Sequence, residues 1–326
     1  MAPERSTCMV IVDKALSLTP AVVRATALAR KSGDKLMLAL FEFDRTLARA
    51  ASRGFDLDAY KRGRAGKLEA LAERLRQDGL TVGTRLYWGH PQMARILMAV
   101  LAKQPRMVIK DARREAALKR VLFAPEDLDL LRQCPAPLML VRGGSHGLPR
   151  RVLAAVDPLD AADRPQALDA AVLDAANHLA MQCGAELDIV HAFEYIPPFA
   201  VPGLLTGALP DMGLTEQFRA MHHDALQAFG KRHGVPQAHL HLLDGIPGPA
   251  IADFAAKNGV DVVVMGSIQR NFLQRLSIGS VAEDLLQRLD CDVLALKPEG
   301  FPESLRNELE QDRAPAWLPP RFEETT

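Results

Sequence analysis

Val262-Val263-Val264-Met265-Gly266-Ser267-Ile268-Gln269-Arg270, continuing to Ser277-Ile278-Gly279-Ser280-Val281-Ala282-Glu283, is the stretch on which the reading of this chain turns. Apolar residues in succession, closed by a glycine, read as a buried parallel strand. A polar loop follows. Gly279 and Ser280 then open the pattern Val281, Leu285, Leu286, Leu289, which has helical spacing. A strand, a glycine-bearing loop and a helix N-terminus together form a cradle for phosphate. Backbone N–H groups point outward, the helix dipole favours an anion, and glycine lets the backbone approach a ligand. The competing reading is a plain strand-to-helix turn in a fold that once bound nucleotide.

Upstream of this stretch the same grammar recurs. Val152-Leu153-Ala154-Ala155-Val156-Asp157 is an apolar strand ending in a carboxylate, Ala167 to Gln182 a helix, and Leu187 to Phe193 a second strand. The first half has the same order. Cys8 to Val12 ends in Asp13, Pro20 to Ser32 reads as a helix stopped by Gly33, and Leu36 to Phe43 is the next strand. A polar segment, Asp44 to Tyr60, leads into a long helix through Leu68, Leu71 and Leu75. Strands follow at Thr81 to Trp88, Met107 to Ile109 and Pro137 to Val141, with helices between them. Gly245-Ile246-Pro247 repeats Gly89-His90-Pro91, and Cys291 to Pro298 repeats Cys134 to Val141. A repeat of this length is a duplicated domain, not a solenoid unit. Alternating strands and helices imply an α/β chain of parallel sheets covered by helices on both faces.

The periodicity breaks at Arg142-Gly143-Gly144-Ser145-His146-Gly147-Leu148-Pro149, which reads as a linker. The expected boundaries are 1–143 for the first domain and 150–298 for the second. Residues 299–326 are an expected disordered tail, with a short helix near Leu305 to Leu309. The 326 residues carry 40 basic and 40 acidic side chains, so no global field favours nucleic acid or an anionic membrane. No apolar run approaches the roughly 20 residues of a membrane span. No export signal is visible after Met1, and a cytoplasmic location is expected. The four cysteines lack metal-ligand spacing and read as buried thiols in a reducing compartment.

The two strand-Asp openings, the loop from Gly266 to Ser280 and the two closing Cys-to-strand segments resemble the universal stress protein family. The family's nucleotide loop is Gly, two residues, Gly, nine residues, Gly, then Ser or Thr. Gly266, Gly279 and Ser280 match it, whereas Gln269 stands where the second glycine belongs. Phe123-Ala124-Pro125-Glu126-Asp127 is similar to the tandem E-type members. The resemblance implies two doubly wound domains, each a five-stranded parallel sheet in the order 3-2-1-4-5, paired through their last strands as single-domain members pair on dimerising. It implies a nucleotide site, with ATP as the expected cofactor, lined by Ala155, Val156, Asp157, Met265, Gly266, Ile268, Gln269, Gly279, Ser280 and Val281. A carboxylate at the C-terminal edge of a parallel strand suits that crevice. In the first domain Lys110 and Arg113 replace the first two glycines, and Leu122-Phe123 falls near the third. Those basic residues could attract an anion, but their bulk denies it the backbone.

Other candidates are weaker. His239 and His241 would share a strand face without a third metal ligand nearby, and His222 and His223 fall on a helix. The apolar Tyr195–Leu205 segment reads as a lid or as the wall of a lipid-binding pocket. No hydrolase elbow, zinc-protease motif or P-loop lysine motif is present. The leading expectation is a cytoplasmic stress-response protein that binds a small ligand or partner without robust catalysis, with a homodimer allowed. The alternatives are an ATP-binding switch with weak hydrolysis in the second domain and a carrier of an amphipathic, lipid-like metabolite.

Overall fold

The computed structural model describes residues 6–112, 114–117, 120–123, 125–142, 147–159, 166–194, 214–267, 280–303 and 305. It divides into two compact units. One joins Met1–Pro149 with Asp292–Thr326, and the other is Arg150–Cys291.

The first unit opens with β1 (Thr7–Val12), α1 (Pro20–Ser32), β2 (Lys35–Glu42), α2 (Arg45–Ala51), α3 (Leu57–Gln77), β3 (Val82–Trp88) and α4 (Gln92–Lys103). It continues with β4 (Met107–Asp111), β5 (Arg114–Ala117), β6 (Arg120–Phe123), α5 (Pro125–Gln133) and β7 (Leu138–Val141). Its parallel strands run β3-β2-β1-β4-β7, which is the order 3-2-1-4-5 once the separate β5–β6 hairpin is set aside. Met9 and Val10 at its centre are fully buried, as a strand covered on both faces demands.

Local chemistry sets the element ends. Pro20 takes the first turn of α1, where its missing N–H costs nothing. Gly33 closes that helix at φ 75°, donating its N–H to Ala29 O. The polar segment after β2 holds a short helix that periodicity missed. The Asp44 carboxylate accepts from Thr46 N and Leu47 N to start α2, and Asp56 accepts from Ala59 N to start α3. The second departure is the hairpin, which pairs Arg114↔Phe123 and Ala117↔Arg120 in the region expected to carry the loop.

The second unit contains β8 (Arg151–Ala155), α6 (Gln166–Cys183), β9 (Glu186–Phe193), α7 (Leu214–Arg232), β10 (Leu240–Asp244), α8 (Pro247–Lys257), β11 (Val262–Gly266) and α9 (Ser280–Arg288). Its parallel strands run β10-β9-β8-β11. The last strand in sequence, β12 (Asp292–Leu296), belongs with the first unit. It lies antiparallel to β7, with Val293↔Leu140, Leu294↔Met139 and Ala295↔Leu138 in register. Both strands are wholly buried and, apart from Asp292, apolar, and each supplies the other's missing ladder. Asp292 fastens β12 in place. It accepts from Arg142 N at 2.8 Å and from Arg24 Nε at 3.0 Å, and both members of the Arg24–Asp292 ion pair are 3% exposed.

Cys8 and Cys134 are buried, and Cys183 and Cys291 are half-buried; none of the four is in a disulfide. Burial pushes the Cys8 and Cys134 thiols up to about 11, so both stay protonated at neutral pH. Among the described residues no helix is long and apolar enough to cross a membrane.

Candidate functional site

In the second unit β8 and β11 are parallel neighbours with Met265 opposite Ala155. Their C-terminal ends therefore bring Ala155, Val156 and Asp157 beside Met265 and Gly266. Ser280 and Val281 open α9, and Ile268, Gln269 and Gly279 lie outside the described residues, as does the Tyr195–Leu205 segment.

Around Asp157 the structure adds groups that sequence reasoning missed. The backbone N–H of Asp157 donates to the Asp169 carboxylate at 3.3 Å. His191, fully buried on β9, lies 3.7 Å from Asp157 Oδ1 through Nδ1. That same nitrogen is 3.1 Å from Val156 O, so it carries the proton and donates to the carbonyl. Nε2 is then the acceptor for His222 Nδ1, 2.7 Å away on α7. His222 also stacks on Phe193, with centroids 4.3 Å apart. Desolvation lowers the His222 pKa, while the Asp157 charge pulls the other way. His222 is thus a half-buried partner in a chain of hydrogen bonds to the candidate site. Its position on a helix gave no sign of this, because the partner is a distant strand residue.

His239 lies in a 3-10 turn, Gln237–His239, not on the strand expected for it. It and His241 nonetheless converge, each 3.0 Å from Asp188 Oδ1. No cluster among the described residues has the make-up of a metal site.

The first unit holds a cavity of about 610 Å³ at the C-terminal ends of β1 and β4. Its apolar wall includes Ile11, Phe41, Met93, Ile96, Leu130 and Val141. Its polar lining includes Asp13, Asp111 and Thr19; among the described residues Asp13 Oδ1, Asp111 Oδ2 and Thr19 Oγ1 have no hydrogen-bond partner and are closed off from solvent. The other oxygen of Asp111 is engaged. It accepts from Ala21 N at 2.8 Å and so occupies the N-terminus of α1. Lys110, in the place of the family's first glycine, points its ammonium to the fully buried Asp127 carboxylate and donates to Asp111 O at 3.0 Å. Its charge is met inside the protein by the Asp127 carboxylate. Arg113 lies outside the described residues. The sequence signal for this cavity was Asp13 at a strand end, which gave no sign of the volume beside it.

Comparison with known proteins places these features in a family. A profile of the universal stress protein family matches residues 4–142 and 149–297. The chain is 25% identical to universal stress protein E of Salmonella typhi over 300 residues, covering 90% of this chain and 94% of that one. It is 24% identical to universal stress protein E of Escherichia coli K12 over 311 residues, covering 93% and 98%. Among solved structures, a protein of unknown function from Pseudomonas aeruginosa PAO1 superposes with a TM-score of 0.73 at 23% identity, covering 94% of this chain and 98% of that chain. A universal stress protein from Archaeoglobus fulgidus gives 0.61 at 18% identity, covering 89% and 98%. With two matched copies of the domain and a parallel-sheet α/β fold that agrees with them, the chain belongs to the universal stress protein family.

Proposed function

We propose that this protein serves the stress response by binding a small ligand in its first unit, without robust catalysis, in the cytoplasm. The observation that carries the reading is the cavity of about 610 Å³, a size suited to a metabolite, with an apolar wall and a few convergent polar groups. Among the described residues, the groups around it hold no nucleophile activated by a neighbouring base, and Lys110 is engaged with Asp127. Ligand capture is the chemistry this arrangement supports. Purified full-length protein, denatured and extracted, should release a small molecule detectable by untargeted mass spectrometry. Met93→Trp, which fills the cavity, should lose that molecule while keeping its fold. Equal recovery from the variant would exclude the cavity as the site.

A second reading is an ATP-binding switch in the second unit. It rests on Asp157 beside Met265 and Gly266 at the ends of β8 and β11, where open α/β sheets take their ligands. ATP titrated into the full chain should then bind at one site, and Asp157→Ala should weaken it roughly ten-fold. Undiminished binding by that variant would count against the reading.

A further inference from the structure

We propose that the C-terminal ends of β2 and β3, together with α2, form a docking surface for single-stranded nucleic acid. Bases stack on a strip of aromatic rings, and phosphates pair with the arginines of α2. The surface lies in the first unit and does not depend on the small-ligand reading above.

The argument begins with the rings. Only 5% of the chain is aromatic, yet two of its three tyrosines and one of its two tryptophans gather here. One pair is buried: Phe41 and Tyr87 stack flat, 4.7 Å apart with 8° between their planes. The others form a chain at the surface. Phe55 lies 6.5 Å from Tyr60, Tyr60 5.8 Å from Trp88, Trp88 6.0 Å from Phe43, and Phe43 5.5 Å from His90. Phe55 and His90 are exposed, and Phe43, Tyr60 and Trp88 are half-buried. Neighbours in this chain are tilted by 48–73°, so no ring has a face closed by parallel stacking on the next. A flat base covers such a face, and every base has one to offer.

The charge beside the rings supplies the second half. The chain balances overall, but residues 42–67 hold seven basic side chains and four acidic ones. Each of the four carboxylates is occupied. Glu42 pairs with Arg64 at 2.7 Å and accepts from Tyr60 Oη, Asp44 caps α2, and Asp56 and Asp58 pair with Arg62 and Lys61. Arg45, Arg49, Arg53 and Lys67 are exposed, and their side chains have no partner among the described residues. Arg45 and Arg49 stand about one turn apart on α2, and Arg53 follows in the turn closed by its N–H on Ala50 O at 2.8 Å. No residue of α2 is buried, so packing within the unit does not account for this row of arginines. Uncompensated cations beside open rings match a polymer that carries a phosphate and a flat ring in each unit. An acidic peptide brings the charge without the rings, and a duplex keeps its base faces stacked inside. An anionic membrane calls for projecting apolar side chains, and of the strip's apolar rings Phe55 alone is exposed.

The test uses the full chain and three probes: a fluorescein-labelled oligouridylate of about 12 nucleotides, an abasic strand of the same length, and phosphatidylserine vesicles. Fluorescence anisotropy across a salt series should give the oligouridylate a slope of log affinity on log salt of about −2, three phosphates at about −0.7 each. The triple variant Arg45→Gln, Arg49→Gln, Arg53→Gln, whose fold circular dichroism checks, should lose most of that slope and bind at least ten-fold more weakly. Phe55→Ala should weaken the oligouridylate about ten-fold and leave the abasic strand unchanged. In a Trp317→Phe background the oligouridylate should quench Trp88 fluorescence, and the abasic strand should not. An abasic strand that binds as well as the oligouridylate removes the stacking half and overturns the proposal. Oligouridylate binding that is equal in the wild type and the triple variant places the contact elsewhere and overturns it too. If only the vesicles bind, and the triple variant loses them, the surface serves a membrane instead. If no probe binds at low salt, the surface is not a docking site.

Discussion

Asp34 shows how one residue can carry a pH dependence. It is buried at the junction of α1 and β2, which alone would raise its pKa. Hydrogen bonds from Ser6, from Ser32 at 2.7 Å and from Arg106 at 2.6 Å outweigh burial and hold the carboxyl below its ordinary value. A depressed carboxylate contributes stability above its unfolded pKa of about 3.9, and that contribution is lost as pH falls through the lower, folded value. Asp34→Asn should therefore destabilise the protein at pH 7 by about 2 kcal/mol, the scale of a charged hydrogen bond. The gap between wild type and variant should narrow as urea titrations move below about pH 4. A gap independent of pH would show that shape rather than charge matters there. At this scale the sequence was partly legible. Asp13 and Asp157 could be picked out because each ends an apolar strand. The pairing of His191 with His222 could not, since a contact between a strand and a helix 31 positions apart leaves no periodic trace.

Among the elements, those with strong patterns were easiest to read. Val262–Gly266 and Pro20–Ser32 fall where the apolar run, the proline and the glycine put them. Helix α2 was missed because its seven residues bury nothing, and only the Asp44 cap announces it. The β5–β6 hairpin was missed because its strands are four residues each, too short to show alternation. The hairpin sits between the two partners of the Lys110–Asp127 pair, which ties β4 to α5. Lys110→Met removes the ammonium beside a fully buried carboxylate and should cost about 3 kcal/mol or more. The double variant Lys110→Met, Asp127→Leu removes both charges and should recover most of that loss in chemical denaturation. If the double variant is as unstable as the single one, the pair is not what makes the substitution costly.

For the molecule as a whole, the duplication was visible in the repeated Asp, Gly-x-Pro and Cys-to-strand landmarks. The membership of β12 in the first unit is set by antiparallel pairing with β7, about 150 residues away in sequence, and by the buried Arg24–Asp292 pair. Nothing local encodes such a contact. Residues 1–149 expressed alone would present β7, four buried apolar residues, as an open edge. That fragment should self-associate, and light scattering should find it larger than a monomer. A soluble, monomeric fragment would mean that β12 is dispensable to the first unit.

The same discontinuity bears on synthesis. A ribosome makes the chain from its N-terminus, so β7 emerges well before Asp292 does. At about 5–20 residues per second, the intervening segment takes on the order of ten seconds to appear. During that interval the first unit has its sheet and its cavity walls but not its final strand, and Arg24 waits for its carboxylate. The nascent chain thus completes its earlier-made unit only after the later one has left the exit tunnel. A chain that ends between Val141 and Asp292 leaves β7 without its antiparallel partner, an open apolar edge of the kind that invites pairing with another chain.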